Sequence, residues 1–345
     1  MTSRPNKRKN ILQITGITLG TIALIAALLI GIFFYMVHKG AADFNPSRLE
    51  NGPVIPLQET VEKDGKKYVY NKNAVAIAMI GVDKDRLGDR TADQNPIGMA
   101  DLTAMVVLDR STGKMTLLNI PRDTVCDVDV YRDEKFITSK KQQICTAFSY
   151  GDGKKTSCDN VVLSMRRLLD GAPIVKYVCL DMDGIATVTD ALGGVPLVPD
   201  MDLPDFNIYA GKETIMTGKA AQVYLRFRDH DQVDGSGVRT SRQTQYFAAM
   251  TARLFHVLKH DFGRLPGLYA KASSRALTDI TLENATYLGT LLVRQGTGSL
   301  DTRTLAGRFE AEAIEGSDDV YARFIPDSDA LQQTILDLFY KPLEE

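Results

Sequence analysis

Two aspartates and a group of arginines are the residues best suited to chemistry in this chain. Asp83 closes an apolar run, Ala74 to Val82, and Asp101 opens another, Asp101 to Asp109. If the two runs are neighbouring strands, both carboxylates reach one rim of a sheet. Hard oxygen ligands of this kind suit Mg2+ held together with substrate phosphates, with Mn2+ as a substitute. Two solvated turn acids would explain either residue alone. Ile120-Pro121-Arg122-Asp123 follows a third strand-like run, so a proline fixes the chain where Arg122 leaves the rim; a surface Arg–Asp pair would read the same way. Arg226 and Arg228 are spaced i, i+2, which in an extended chain puts them on one face. Arg239 and Arg242 open a long helical pattern, and Gln243 lies one turn beyond Arg239. Guanidinium forks and a helix N-terminus both favour phosphate; solvated salt bridges are the alternative. Paired acids with an arginine cluster point to phosphate or pyrophosphate chemistry.

Other chemistries find little support. The histidines are His38, His230, His256 and His260, with no HExxH among them. Gly153-Lys154-Lys155-Thr156 lacks the glycine spacing of a P-loop, and Gly235-Ser236-Gly237 is not GxSxG. Asn284-Ala285-Thr286 matches a glycosylation sequon, a frequent chance match. The 41 basic residues nearly balance 43 acids, which argues against a nucleic-acid partner held by bulk positive charge. Four cysteines are too few for a disulfide scaffold.

The elements that must position these residues alternate between strand and helix. Val61 to Tyr70 reads as a hairpin about Asp64-Gly65. The runs at 74–82, 101–109, 115–120 and 175–180 read as strands, the first one buried. Helices are expected at 159–169, capped by Ser157 or Asp159, at 184–192, stopped by Gly193-Gly194, at 218–225 and at 239–259. Amphipathic segments at 283–294 and 329–340 close the chain. The class is α/β. Its 345 residues, 44% of them hydrophobic, suffice for one large core or two modest ones.

A membrane segment precedes this. Ile11 to Val37 holds no charged residue, and at ~1.5 Å per residue it spans roughly 40 Å, enough for a ~30 Å hydrocarbon core. It is too long for the apolar region of a cleaved signal peptide, and Phe33, Phe34 and Tyr35 sit where an interfacial belt would. Arg4, Lys7, Arg8 and Lys9 lie before it, so the N-terminus is expected in the cytoplasm and everything past the span outside. The organisation expected is a basic tail at 1–10, a single transmembrane helix at 11–37, a linker with a short hairpin at 38–73, a catalytic domain at 74–300 and a closing segment at 301–345. Outside the membrane, one disulfide among Cys126, Cys145 and Cys158 is allowed, its pairing unspecified by sequence. Cys179 falls in a strand and reads as a small hydrophobe.

The order of motifs resembles the LytR-CpsA-Psr family. The resemblance is carried by Gly81-Val82-Asp83, the Asp101 to Asp109 strand, Ile120 to Asp123, Ala191 to Val195, Thr217 to Arg228 and Arg239 to Gln243, behind an N-terminal anchor. It implies a three-layer α/β/α sandwich around a mixed central sheet. It also implies a membrane-bound phosphotransferase that moves a glycan phosphate from a polyprenyl-pyrophosphate carrier onto peptidoglycan, the donors being teichoic acids, capsular polysaccharides and similar polymers. By this resemblance Asp83 and Asp101 hold Mg2+. Arg122, Arg226, Arg228 and Arg239 bind the diphosphate with Gln243 assisting, and Asp123 orients Arg122. Arg122, Asp123 and Arg239 are the residues expected to act in catalysis. A polyprenyl tail also needs an apolar groove, for which the strands and the helix carrying Tyr246, Phe247 and Phe255 are candidates, as well as plain core. A lipid-linked-glycan-binding regulator and a pyrophosphatase remain the alternative functions.

Overall fold

The computed structural model describes residues 7–44, 58–87, 97–132, 135–227, 235–295, 301–313 and 320–343. The chain opens with the helix α1 (Lys7–Ala42), followed by the hairpin β1 (Thr60–Lys63) and β2 (Lys66–Tyr70) and then by β3 (Ala74–Val82), β4 (Ala100–Asp109) and β5 (Met115–Ile120). A second hairpin, β6 (Val125–Arg132) and β7 (Lys135–Gln143), leads into α2 (Thr146–Ser149), α3 (Lys155–Leu168), β8 (Ile174–Leu180) and α4 (Met182–Ala191). The short strands β9 (Val195–Leu197) and β10 (Thr214–Met216) precede α5 (Gly218–Arg226), α6 (Gly235–His260), α7 (Leu265–Ser273), β11 (Ala276–Thr278) and α8 (Leu282–Gln295). The chain closes with β12 (Asp301–Thr304), β13 (Gly307–Ala313), β14 (Val320–Pro326), α9 (Ser328–Phe339) and β15 (Tyr340–Pro342).

Six strands form the central sheet in the order β11-β8-β3-β4-β5-β12. It is mixed: β3 runs antiparallel to β4 and parallel to β8, and β5 runs parallel to β12. The two-residue period of a strand divides its side chains between two helical layers. On β3, Ala74, Ala76, Ala78, Ile80 and Val82 join a core with Phe148, Val161 and Met165, on the side of α3 and α9. Val75 and Ile77 face the other way and pack with Phe44, Tyr287 and Leu288. That second face also carries Leu102 and Leu180, packed against Ile185 of α4 and Tyr246, Phe247 and Met250 of α6. Helices therefore cover both faces, giving the α/β/α sandwich expected.

Local signals act as the sequence implied. Asp64 and Gly65 both take positive φ, 52° and 71°, the left-handed pair that a two-residue hairpin turn requires. Gly193 and Gly194, at φ 76° and 86°, end α4. α3 starts at Lys155, ahead of the expected cap, because Asp152 Oδ1 accepts from the backbone of Lys154 and Ser157. α6 starts at Gly235, four residues before Arg239.

In α1, Ile22, Leu24, Leu28, Leu29 and Phe34 are all exposed. A helix this apolar, with no core to hide in, is a candidate membrane anchor. It continues to Ala42, past the apolar run, and Phe44 beyond it is fully buried. The four cysteines are buried free thiols, so no disulfide joins Cys126, Cys145 or Cys158. Burial pushes Cys126 up to about 12 and Cys145 up to about 11. Asn284 is also fully buried, hydrogen-bonded to Asp43 Oδ2 and capping α8, which makes it inaccessible as a glycosylation site.

Candidate functional site

Asp83 and Asp101 do meet at one rim. β3 and β4 pair Gly81 with Leu102 and Val82 with Ala100, so Asp101 is the extra residue of a bulge. A bulge re-aims the unpaired side chain. Gly81 sits tight against β4, where a Cβ would lie 2.9 Å from Leu102 Cβ. Both carboxylates line a pocket of about 30 Å³ with Gln243, Tyr246 and Phe247 of α6.

Arg122 is held by the turn after β5. Thr124 donates to Pro121 O through both its backbone N–H (2.9 Å) and its hydroxyl (2.6 Å), and Cys145 N–H donates to Arg122 O at 3.1 Å. Its guanidinium pairs with Asp101 and touches the sulfurs of Cys145 and Met99, each at 3.6 Å. Burial works against the Arg122 charge, and the neighbouring carboxylate outweighs it, so its pKa rises. Asp123 stands 3.6 Å from Arg122 Nε and accepts from Gln143 Nε2 at 3.0 Å.

Arg226 ends α5, which Thr217 caps by accepting from Ala220 N–H. The residue is therefore helical and not extended as its i, i+2 spacing with Arg228 suggested; the amphipathic pattern of Gly218 to Leu225 runs one residue further. Arg226 Nε lies 3.2 Å from Asp83 Oδ1, and its Nη2 lies 2.6 Å from Asp85 Oδ1. Arg228 falls outside the described residues. Arg239 lies in the second turn of α6, and its side chain is likewise outside the description.

Arg242 is diverted from the rim. It is 5% exposed, forks onto Asp200 at 2.9 and 3.2 Å, donates to Phe227 O and stacks on Tyr224 with 5.1 Å to the ring centroid. Burial would raise the Asp200 carboxyl, and the Arg242 and Tyr224 contacts pull it down overall. This pair clamps the second turn of α6 and so fixes its neighbour Gln243, which is 7% exposed. Among the described residues, Gln243 Oε1 has no hydrogen-bond partner.

The site thus brings Asp83, Asp101 and the buried Gln243 side chain to a single small pocket. Among the described residues, no three His, Cys, Asp or Glu side chains converge. A closed Zn2+ site is not built this way. The oxygen set fits Mg2+, which takes one or two carboxylates and fills its octahedron with water and substrate phosphate. Asp85, Cys145, Met99 and Gln143 were missed from sequence. Only Asp85 had a signal there, standing two residues beyond Asp83 in a chain leaving a strand.

A second cavity of about 250 Å³ lies between the sheet and the helices α4, α6, α7 and α8. Ile77, Met79, Met250, Leu254, Leu268 and Leu288 line it, together with Phe255. Of the aromatics proposed for a groove, Phe255 is there, whereas Tyr246 and Phe247 face the small pocket. α6 serves both. From Gln243 to Leu258 it runs about 22 Å at 1.5 Å per residue, with the small pocket that holds the two aspartates at one end and the apolar cavity along the rest.

Comparison with known proteins bears on the fold and the family. The chain is 28% identical over 325 residues to the polyisoprenyl-teichoic acid–peptidoglycan teichoic acid transferase TagV of Bacillus subtilis (strain 168), covering 90% of this chain and 74% of that protein. The crystal structure of B. subtilis TagV superposes with a TM-score of 0.59 at 24% identity, over 77% of this chain and 97% of that one. A structure of TagT bound to LIIa-WTA gives a TM-score of 0.55 at 18% identity, over 81% and 95%. These structures show the shared fold. The LytR_cpsA_psr family profile matches residues 42–336, and the chain belongs to that family.

Proposed function

We propose that the protein is a membrane-anchored phosphotransferase that moves a glycan phosphate from a polyprenyl-pyrophosphate-linked wall glycopolymer onto peptidoglycan. The observation that carries this is the junction on α6 of a small pocket lined by Asp83 and Asp101, whose carboxylates pair with Arg122 and Arg226, with a 250 Å³ apolar cavity. A lipid diphosphate has the same two parts, in the same order. The relatives named as teichoic acid transferases support the reading. α1 is the anchor, with its N-terminus in the cytoplasm and the folded domain outside.

In this reading the acceptor hydroxyl oxygen attacks the glycan-side phosphorus. The P–O bond to the polyprenyl phosphate breaks, polyprenyl monophosphate leaves, and the hydroxyl proton passes to solvent water. Arg122 and Arg226 hold the diphosphate oxygens and meet the charge that grows on the leaving oxygen. Arg228 and Arg239 bind the same diphosphate in this reading. Asp123 orients Arg122. Asp83 and Asp101 would hold Mg2+, or Mn2+ in its place, with Gln243 lining the same pocket. Bound there, the metal supplies positive charge against the diphosphate.

The test is to incubate the full chain in lipid with a synthetic polyprenyl-pyrophosphate oligosaccharide and peptidoglycan fragments. The expected product is peptidoglycan carrying the glycan through a phosphodiester, formed with Mg2+ and suppressed by EDTA. Free glycan phosphate as the only product would make the protein a pyrophosphatase. Donor binding without turnover would make it a regulator. Turnover indifferent to EDTA would remove the metal, and Asp83 would then serve better as a general base.

A further inference from the structure

The end of α1 is built into the domain and is no free tether. At Gly40 an added Cβ would lie 2.1 Å from Glu283 O and 2.9 Å from Tyr287 Cβ, so only glycine lets α1 and α8 approach this closely. Asn284, fully buried at the start of α8, donates through Nδ2 to Gly40 O at 3.3 Å and to Asp43 Oδ2 at 2.9 Å. Phe44 is fully buried against Val75 and Ile77, its ring 5.7 Å from that of Tyr287. Lys39 and Glu283 pair at 2.7 Å on the surface, which adds little.

A second contact lies two turns back along the anchor. The Phe33 ring meets that of Phe262 edge-on, 6.2 Å between centroids. Phe262 in turn lies over α8, where a Cβ on Gly289 would come within 2.8 Å of its ring. Phe33 is about 10 Å further into the span than Gly40, and about 6 Å inside the end of the apolar run at Val37. The one-turn 3-10 segment Phe262–Arg264 and the start of α7 are thereby carried to the depth at which aromatic side chains and interfacial helices seat in a bilayer. Leu265, Leu268, Leu288 and Gly289, which follow Phe262 on α7 or face it on α8, line the apolar cavity.

We propose that the domain is seated in the bilayer interface. Docking of α1 on α8 holds the Phe262–Arg264 turn among the lipid headgroups, so that the α7–α8 wall of the apolar cavity meets the membrane. The inference rests on α1 being an anchor. It does not depend on the transfer chemistry, and its test uses no donor.

The full chain carrying Gly263→Cys is placed in vesicles of phosphatidylglycerol and phosphatidylethanolamine and labelled with a nitroxide. Position 263 is exposed, whereas the native thiols are buried. In the otherwise parental chain the label should collide several-fold more often with oxygen, which concentrates in lipid, than with a water-soluble nickel chelate. Gly40→Leu should reverse that preference while the domain keeps its thermal unfolding transition. Gly31→Leu should not, since nothing lies within 4 Å of Gly31. If Gly40→Leu does not fold, Phe33→Ala takes its place, with the preference expected to fall. A label that favours the nickel chelate in the parental background overturns the proposal, as does a preference that no anchor variant moves.

Discussion

Replacing Gln243 with leucine should separate stability from function. Gln243 is 7% exposed, and its Oε1 has no partner among the described residues. A buried polar atom left unsatisfied costs about 1–3 kcal/mol. Leucine has similar bulk and no such atom, so Gln243→Leu should be neutral or stabilising, raising the thermal midpoint by roughly 2–10 °C for a domain of this size. Gln243 also lines the 30 Å³ pocket with Asp83 and Asp101. If it helps to hold a cation or a phosphate-bound water, its loss removes a contact to a charged group worth about 1.5–3 kcal/mol, or roughly 10- to 150-fold in kcat/KM. Scanning calorimetry gives the first number, and glycan transfer at varied Mg2+ gives the second. A clear loss of stability would mean that Oε1 is satisfied in the resting protein. Unchanged turnover at every Mg2+ concentration would mean that Gln243 is only packing.

Arg226→Lys should recover only part of the transfer lost in Arg226→Ala, because an ammonium cannot make the two-point contact that Arg226 makes with Asp83 and Asp85; equal activity of the lysine variant and the parent would show that fork geometry is irrelevant. Asp101→Ala should destabilise the domain by about 3–5 kcal/mol at most, by stranding a largely buried Arg122, whereas Asp101→Asn should cost less; denaturant titration compares them. Burial would raise the Asp109 carboxyl, yet hydrogen bonds from Ser111, Asn71 and Thr112 hold it far below the usual range. Its contribution is complete above the unfolded value near ~3.9 and is lost as pH falls toward the folded one, so Asp109→Asn should flatten the acid side of a stability–pH curve. Iodoacetamide should leave the four buried cysteines unmodified at neutral pH until the chain unfolds, as mass spectrometry would show.

The four middle strands of the sheet, β8, β3, β4 and β5, were legible because they are short apolar runs ended by acids or proline, and β5 matches its expected span, Met115 to Ile120. The hairpin β6–β7 was not. Exposed Phe136 and Ile137 sit among lysines on β7, so no face of that strand alternates cleanly. The closing strands β12 and β13 were missed for another reason. β12 reads Asp-Thr-Arg-Thr and is a strand only because β5 offers it a parallel edge. The meeting of Asp83 with Asp101 followed from adjacency of two strands, but the bulge that turns Asp101 into the pocket has no local signature. Arg242 shows the converse limit. Spacing placed it with the phosphate-binding arginines, and a long-range partner, Asp200, took it away.

The charges at the rim set a condition on any diphosphate that binds there. Arg122 already stands against Asp101, and Arg226 against Asp83 and Asp85. An incoming diphosphate, with about two negative charges, competes with carboxylates for both guanidiniums. At 4 Å and an effective dielectric near 20, each unit of carboxylate–phosphate repulsion is about 4 kcal/mol. That exceeds the 1.5–3 kcal/mol of a charge-assisted hydrogen bond. Arginines alone therefore make a poor diphosphate site when their acids stay in place. A cation between Asp83 and Asp101 changes the balance, because it gives the carboxylates a new counter-charge and leaves Arg122 and Arg226 to turn to the phosphates. In the proposed reaction the two aspartates and the two arginines thus form one exchange of partners, in which metal binding and donor binding must strengthen each other by the same factor.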